Sequence, residues 1–162
     1  MHPISRLAAI ATLSGLLLAC EAGPPAATPQ PIAGTPDAPR EINLIAKDYE
    51  YLPTTLDLIP GETVRLQVVN GGLAVHEAII GDAAVQDAWE AAERETDGAP
   101  PGPTPAVSVP PGMEGLRIVV ESGERVDVVW TVPPTEEALI VGCHIPGHWE
   151  RGMQIPVRWA PS

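Results

Sequence analysis

Phenylalanine is absent from the 162 residues, and cysteine, methionine and histidine are scarce, at two, three and four. Basic side chains are also few: nine Lys and Arg stand against 21 Asp and Glu, giving a formal net charge of −12. No basic patch stands out, which argues against nucleic-acid binding. The acidic excess keeps a protein soluble and would favour a basic partner. The apolar run Leu7 to Ala19 is too short to anchor stably across a bilayer. No internal repeat is found. The length suits one domain plus extras.

What is present begins with that run. A positive start, an apolar stretch and small residues before Cys20 read as a cleaved export signal over residues 1–19. Leu17-Leu18-Ala19-Cys20 resembles a bacterial lipobox. That resemblance implies lipidation of Cys20, a mature chain starting there, and an exported protein tethered to a membrane at its periplasmic or extracellular face. Cys20 would then be unavailable for a disulfide, leaving Cys143 as a lone thiol in an oxidising compartment. A bound metal would occupy such a thiol.

Residues 20–40 carry Pro24, Pro25, Pro29, Pro31, Pro36 and Pro39 without apolar periodicity, as an extended tether would. The folded domain is expected over 41–162. Ile42 to Ala46 and Leu56 to Leu58 are short strand candidates. Thr63 to Asn70 alternates, with Val64, Leu66 and Val68 on one face and Arg65 and Gln67 on the other, which predicts a half-buried strand. Val75 to Ile80 follows. Val85, Ala88, Trp89 and Ala92 then sit at helical spacing behind the possible N-cap Asp82, predicting a helix over 83–95. Glu90, Glu93, Glu95 and Asp97 read as its solvated face. The insertion at 82–112 ends in a proline-rich loop.

Leu116 to Glu121 and Arg125 to Val132 flank a Ser122-Gly123 turn, as a hairpin or a corner between strands. Ala138 to Gly142 leads into Cys143. Ile155 to Trp159 is the last strand, and Pro156 within it demands an edge or a bulge. About seven or eight short strands separated by turns predict an all-β sandwich. Trp89, Trp130 and Trp159 are expected in the core and Met113 in a structural role.

The stretch that carries chemistry is Cys143-His144-Ile145-Pro146-Gly147-His148-Trp149-Glu150-Arg151-Gly152-Met153. Its Cys-x4-His-x4-Met spacing offers a thiolate, an imidazole and a thioether. The sulfur ligands favour copper(I), and imidazole suits both copper oxidation states. A trigonal His2Cys site with a long axial Met is the electron-transfer geometry of copper. The segment lacks one imidazole, and His76 is the natural candidate. Singly, each of these residues is more often core packing than a ligand. Four of them in order, in an exported β-rich chain, point to a metal.

The loop, with Pro146-Gly147 before the second His, resembles that of the cupredoxins, the azurin and plastocyanin relatives. Asn70-Gly71-Gly72-Leu73-Ala74-Val75-His76 resembles the end of the strand bearing their first His. The resemblance covers roughly 41–160 and implies a Greek-key sandwich binding one copper per chain. It makes Cys143 the thiolate, His76 and His148 the imidazoles and Met153 the weak axial ligand. His148 becomes the ligand nearest solvent, with Ile145, Pro146 and Trp149 as a candidate apolar docking patch.

Two departures stand out. Glu77 follows the first His where a polar uncharged residue is usual, so it either ties two loops together or adds an oxygen ligand. The usual glycine after Met153 is missing. His144 beside Cys143 is similar to the multicopper oxidases, but four His, one in the signal, cannot supply their trinuclear cluster. His144 is therefore read as a loop residue. The expected function is a non-enzymatic electron carrier with one type 1 (blue) copper and a redox partner such as a cytochrome, oxidase or reductase. The alternative is copper handling: storage, delivery or tolerance.

Overall fold

The computed structural model describes residues 30–96 and 108–161. The expected export signal, Cys20, the first part of the expected tether, Asp97 and part of the proline-rich loop lie outside the described residues. No helix among the described residues is long and apolar enough to cross a membrane.

The fold is mostly β, with two mixed sheets and one helix. The first sheet contains β1 (Arg40–Lys47), β2 (Glu50–Leu52), β4 (Thr63–Asn70) and β7 (Arg125–Thr131), in the order β2-β1-β4-β7. The second contains β3 (Leu56–Leu58), β5 (His76–Gly81), β6 (Leu116–Val120), β8 (Ile140–Gly142) and β9 (Gln154–Trp159), in the order β3-β9-β8-β5-β6. The pairs β1–β4 and β3–β9 are parallel. Side chains of a strand alternate between faces. Leu44, Val64, Leu66 and Val68 therefore enter one interior with Ala78, Ile80, Ile118, Val120, Val141 and Ile155 of the other sheet. Sandwich and insertion are as expected.

Residues β6 and β7 belong to different sheets, so the Ser122-Gly123 turn is a corner and not a hairpin. Strand β9 is interior to its sheet, but its ladder with β3 starts at Val157, so Pro156 stands just outside it. The missing Pro N–H therefore breaks no bond to β3. Among the described residues, Gly34, seven positions before Glu41, already bonds to the first sheet. The Gly34 carbonyl accepts the Thr63 N–H at 3.0 Å. Arg40 grips the buried Glu62 carboxylate with two N–H groups at 2.7 and 2.5 Å.

Helix α1 (Ala83–Arg94) starts where Asp82 accepts the Val85 N–H at 2.9 Å. Val85 and Trp89 pack on Ile79, on the outer face of β5. A Cβ on Gly81 would lie 2.4 Å from Val85 Cγ1, so glycine is what lets the helix turn back this closely. Trp130 and Trp159 pack at the border of the main core.

The expected solvated acidic face needs correction. Glu93 is buried and bonded to Arg117 at 3.5 Å. Glu90 is half-buried against His144, and Glu95 alone of the described three is exposed. A carboxylate on a helix is solvated only where the helix is not covering a cation.

Candidate metal centre

Three of the four expected ligands converge. His76 Nδ1 or Nε2, Cys143 Sγ and a His148 ring nitrogen all lie within 4.8 Å of one another, and all three residues are buried. His76 opens β5. Its approach is stapled by Asn70, whose amide donates to the carbonyls of Ala74 at 2.7 Å and Val120 at 3.0 Å and whose oxygen accepts the Gly72 N–H at 2.8 Å.

Cys143 follows β8, and the loop after it is closed by its own backbone. The Cys143 N–H donates to the Met153 carbonyl at 3.1 Å, and the Met153 N–H donates to the His148 carbonyl at 3.2 Å. Gly152, at φ 89°, makes the left-handed turn out of the short 3-10 segment Trp149–Arg151. Met153 is fully buried and shares the core with Cys143. Of the four residues His148 is the least buried, at 7 % exposed against 0 % for the others.

The thiol sulfur accepts the Glu77 backbone N–H at 3.4 Å and lies 3.2 Å from His148 Nδ1. Burial pushes the Cys143 thiol up to about 12 and the His148 imidazole down to about 4. Without a metal both groups are thus neutral at pH 7. Tyr51, fully buried on β2, donates to the Glu77 carbonyl, and burial raises its phenol well above the usual range.

The nitrogens of His76 are treated unequally. Nε2 sits 2.8 Å from Asp48 Oδ1, whereas Nδ1 is buried with no hydrogen-bond partner among the described residues. Such an orphan is rare in proteins and calls for an explanation, of which an ion is one. Asp48 also accepts the N–H groups of Leu73 at 2.8 Å and Ala74 at 3.2 Å. These bonds, that from Leu73 foremost, hold its carboxyl below the usual range. A Cβ on Gly72 would fall 2.3 Å from Asp48 Oδ1 and 3.0 Å from His76 Nε2, so the pair closes only over a glycine. Tyr49 lies edge-on to His148 with ring centroids 4.7 Å apart, and Arg151 sits 4.2 Å above the Tyr49 ring.

Glu77 points the other way. Its neighbours His76 and Ala78 face the interior, and its carboxylate meets Arg117 under α1. It stands outside the His-Cys-His cluster, and its side chain links β5 to β6 through Arg117. Burial raises its carboxyl to about 7. His144 is more than a loop residue: its ring bonds Glu90 at 2.8 Å and Gln86 at 2.7 Å, and it stacks on Trp149 at 4.6 Å. Trp149 thus packs one ring face against the helix anchor and stays half-buried.

One thiol and two imidazoles, one of them with a buried bare nitrogen, suit copper. Fold and donor set together make the chain a copper-binding protein of the cupredoxin fold, with a cluster that fits a type 1 site. No family model matches the chain. It is 28% identical over 135 residues to the copper-resistant cuproprotein CopI of Pseudomonas aeruginosa, covering 72% of this chain and 74% of that one. It is 31% identical over 120 residues to the copper-resistant cuproprotein CopI of Rubrivivax gelatinosus, covering 72% of this chain and 64% of that one. Among solved structures, auracyanin B superposes with a TM-score of 0.61 at 22% identity, over 80% of this chain and 95% of that one.

Sequence reasoning missed Asp48, Tyr49 and Tyr51, which sit at or near the β1–β2 hairpin. No local motif marks them; only the fold brings 48 to 76.

Proposed function

We propose that this is an exported, membrane-tethered carrier of single electrons, with one type 1 copper that His76, Cys143 and His148 would hold and to which Met153 would add a weak thioether. The observation that carries it is the buried cluster itself: three donors of the right softness, one of them a nitrogen with no other partner. Copper supplies one-electron exchange between Cu(I) and Cu(II). The chain supplies rigidity. His76 is fixed from β5, while Cys143, His148 and Met153 are fixed by one backbone-closed loop, so the donors move little between states. The thiol gives up its proton when a metal binds, which makes uptake pH-dependent. His148, the most exposed donor, offers the route to a partner such as a cytochrome, an oxidase or a reductase. Lipidation at Cys20 would hold the carrier at the membrane.

Copper tolerance is the second reading, favoured by the two relatives named as copper-resistant cuproproteins. The same ligands would serve it, with exchange of the metal replacing exchange of the electron. Copper-loaded protein should be mixed with a reduced cytochrome and, separately, with a mild chelator. Electron exchange with slow copper loss is expected for a carrier. Rapid loss without electron exchange would turn the assignment to copper handling.

A further inference from the structure

We propose that Asp48 is a positioning residue of this copper site: it holds His76 as the Nε2–H tautomer with Nδ1 turned into the cluster, and it places a negative charge behind that ring. The proposal rests on His76 being a ligand.

One nitrogen of His76 is held at 2.8 Å by a carboxylate and the other is buried and bare. A carboxylate only accepts hydrogen bonds, so the contact fixes the proton on Nε2 and leaves the Nδ1 lone pair free. The carboxylate cannot turn away, because the N–H groups of Leu73 and Ala74 hold both of its oxygens. Gly72 leaves the pair just enough room. A carboxylate on the far nitrogen of a ligating imidazole also raises its basicity. A more basic, more negative donor favours the more highly charged Cu(II), so Asp48 biases the site towards the oxidised state as well as orienting it.

Three measurements test this. Long-range 1H–15N correlation on the metal-free protein should show His76 with Nε2 protonated and Nδ1 bare. Asp48→Asn should retain intense copper colour but bind Cu(II) about 10- to 100-fold more weakly. Its Cu(I) affinity should fall less, so its reduction potential should rise; loss of simple structural support would weaken both states alike. His76 in the other tautomer would overturn the proposal whether or not copper binds. So would Asp48→Asn with unchanged Cu(II) affinity and potential. If the wild-type tautomer is as stated but Cu(II) gives no intense band, the tautomer lock stands and the type 1 reading falls.

Discussion

Strand β5 divides two buried polar systems that differ in one respect. On its outer face Glu77 and Glu93 share Arg117, which also lies 4.9 Å over the Trp89 ring, so the protein itself supplies the cation. On its inner side His76, Cys143 and His148 converge as three donors that could hold an ion. Neighbouring residues on one strand thus end in opposite states. The outer cluster is charge-paired by the chain, although Glu77 Oε2 stays without a hydrogen bond among the described residues, and should govern folding; the inner one is a donor set for an ion and should govern copper. Buried polar groups are costly unless paired, and the two faces show two ways of pairing them.

Separate removal of each partner should break that division cleanly. Arg117→Leu leaves two carboxylates buried without their cation and should cost about 3–5 kcal/mol of unfolding free energy. Chemical denaturation of the metal-free protein measures it, while the copper colour of whatever remains folded should not shift. Opposite behaviour is expected from Cys143→Ser: copper binding is lost, and stability falls by less than in the Arg117 variant. Comparable stability losses in both would erase the contrast.

A smaller effect should come from His144→Ala, which frees Gln86 and Glu90 of α1 from the ligand loop. Leaving the oxygen of the buried Gln86 unmet should cost about 1–3 kcal/mol. Hydrogen exchange should then quicken in α1 before it quickens in β4. Equal protection of both elements in the variant would mean that His144 does not anchor the helix.

The smallest effect sharpens the comparison through pH. Burial raises the carboxyls of Glu77, to about 7, and of Glu93. The folded state therefore holds protons that the unfolded state releases. The stabilising contribution is fully present below the unfolded carboxyl range and is lost as pH rises towards and through about 7. Glu93→Gln should flatten the fall in stability of the metal-free protein between acid and neutral pH. An unchanged slope would show that Glu93 does not titrate in this window.

The same contrast explains what could be read from the chain alone. Cys143, His148 and Met153 are close in sequence, so spacing announces them. The alternation of β4 and the spacing of Val85, Trp89 and Asp82 are likewise local, and both elements fold as read. His76 could be nominated because it was the imidazole left over near a strand. Asp48 could not, since it lies 28 residues from His76 with no pattern connecting them. Glu93 looked like one more charge on an acidic helix until the fold set Arg117 beside it. The three-residue β2 is too short to show a period, yet it carries the buried Tyr51. Gly34 looked like tether because proline content hides the few backbone bonds that tie it to Thr63 and Glu62.

The most direct measurement is an absorption titration of metal-free protein with Cu(II), repeated with Cys143→Ser. An intense thiolate-to-copper band should grow to saturation at one copper per chain in the wild type and be absent in the variant. A colourless Cu(II) form of the wild type, or a band that survives without the Cys143 sulfur, would contradict it.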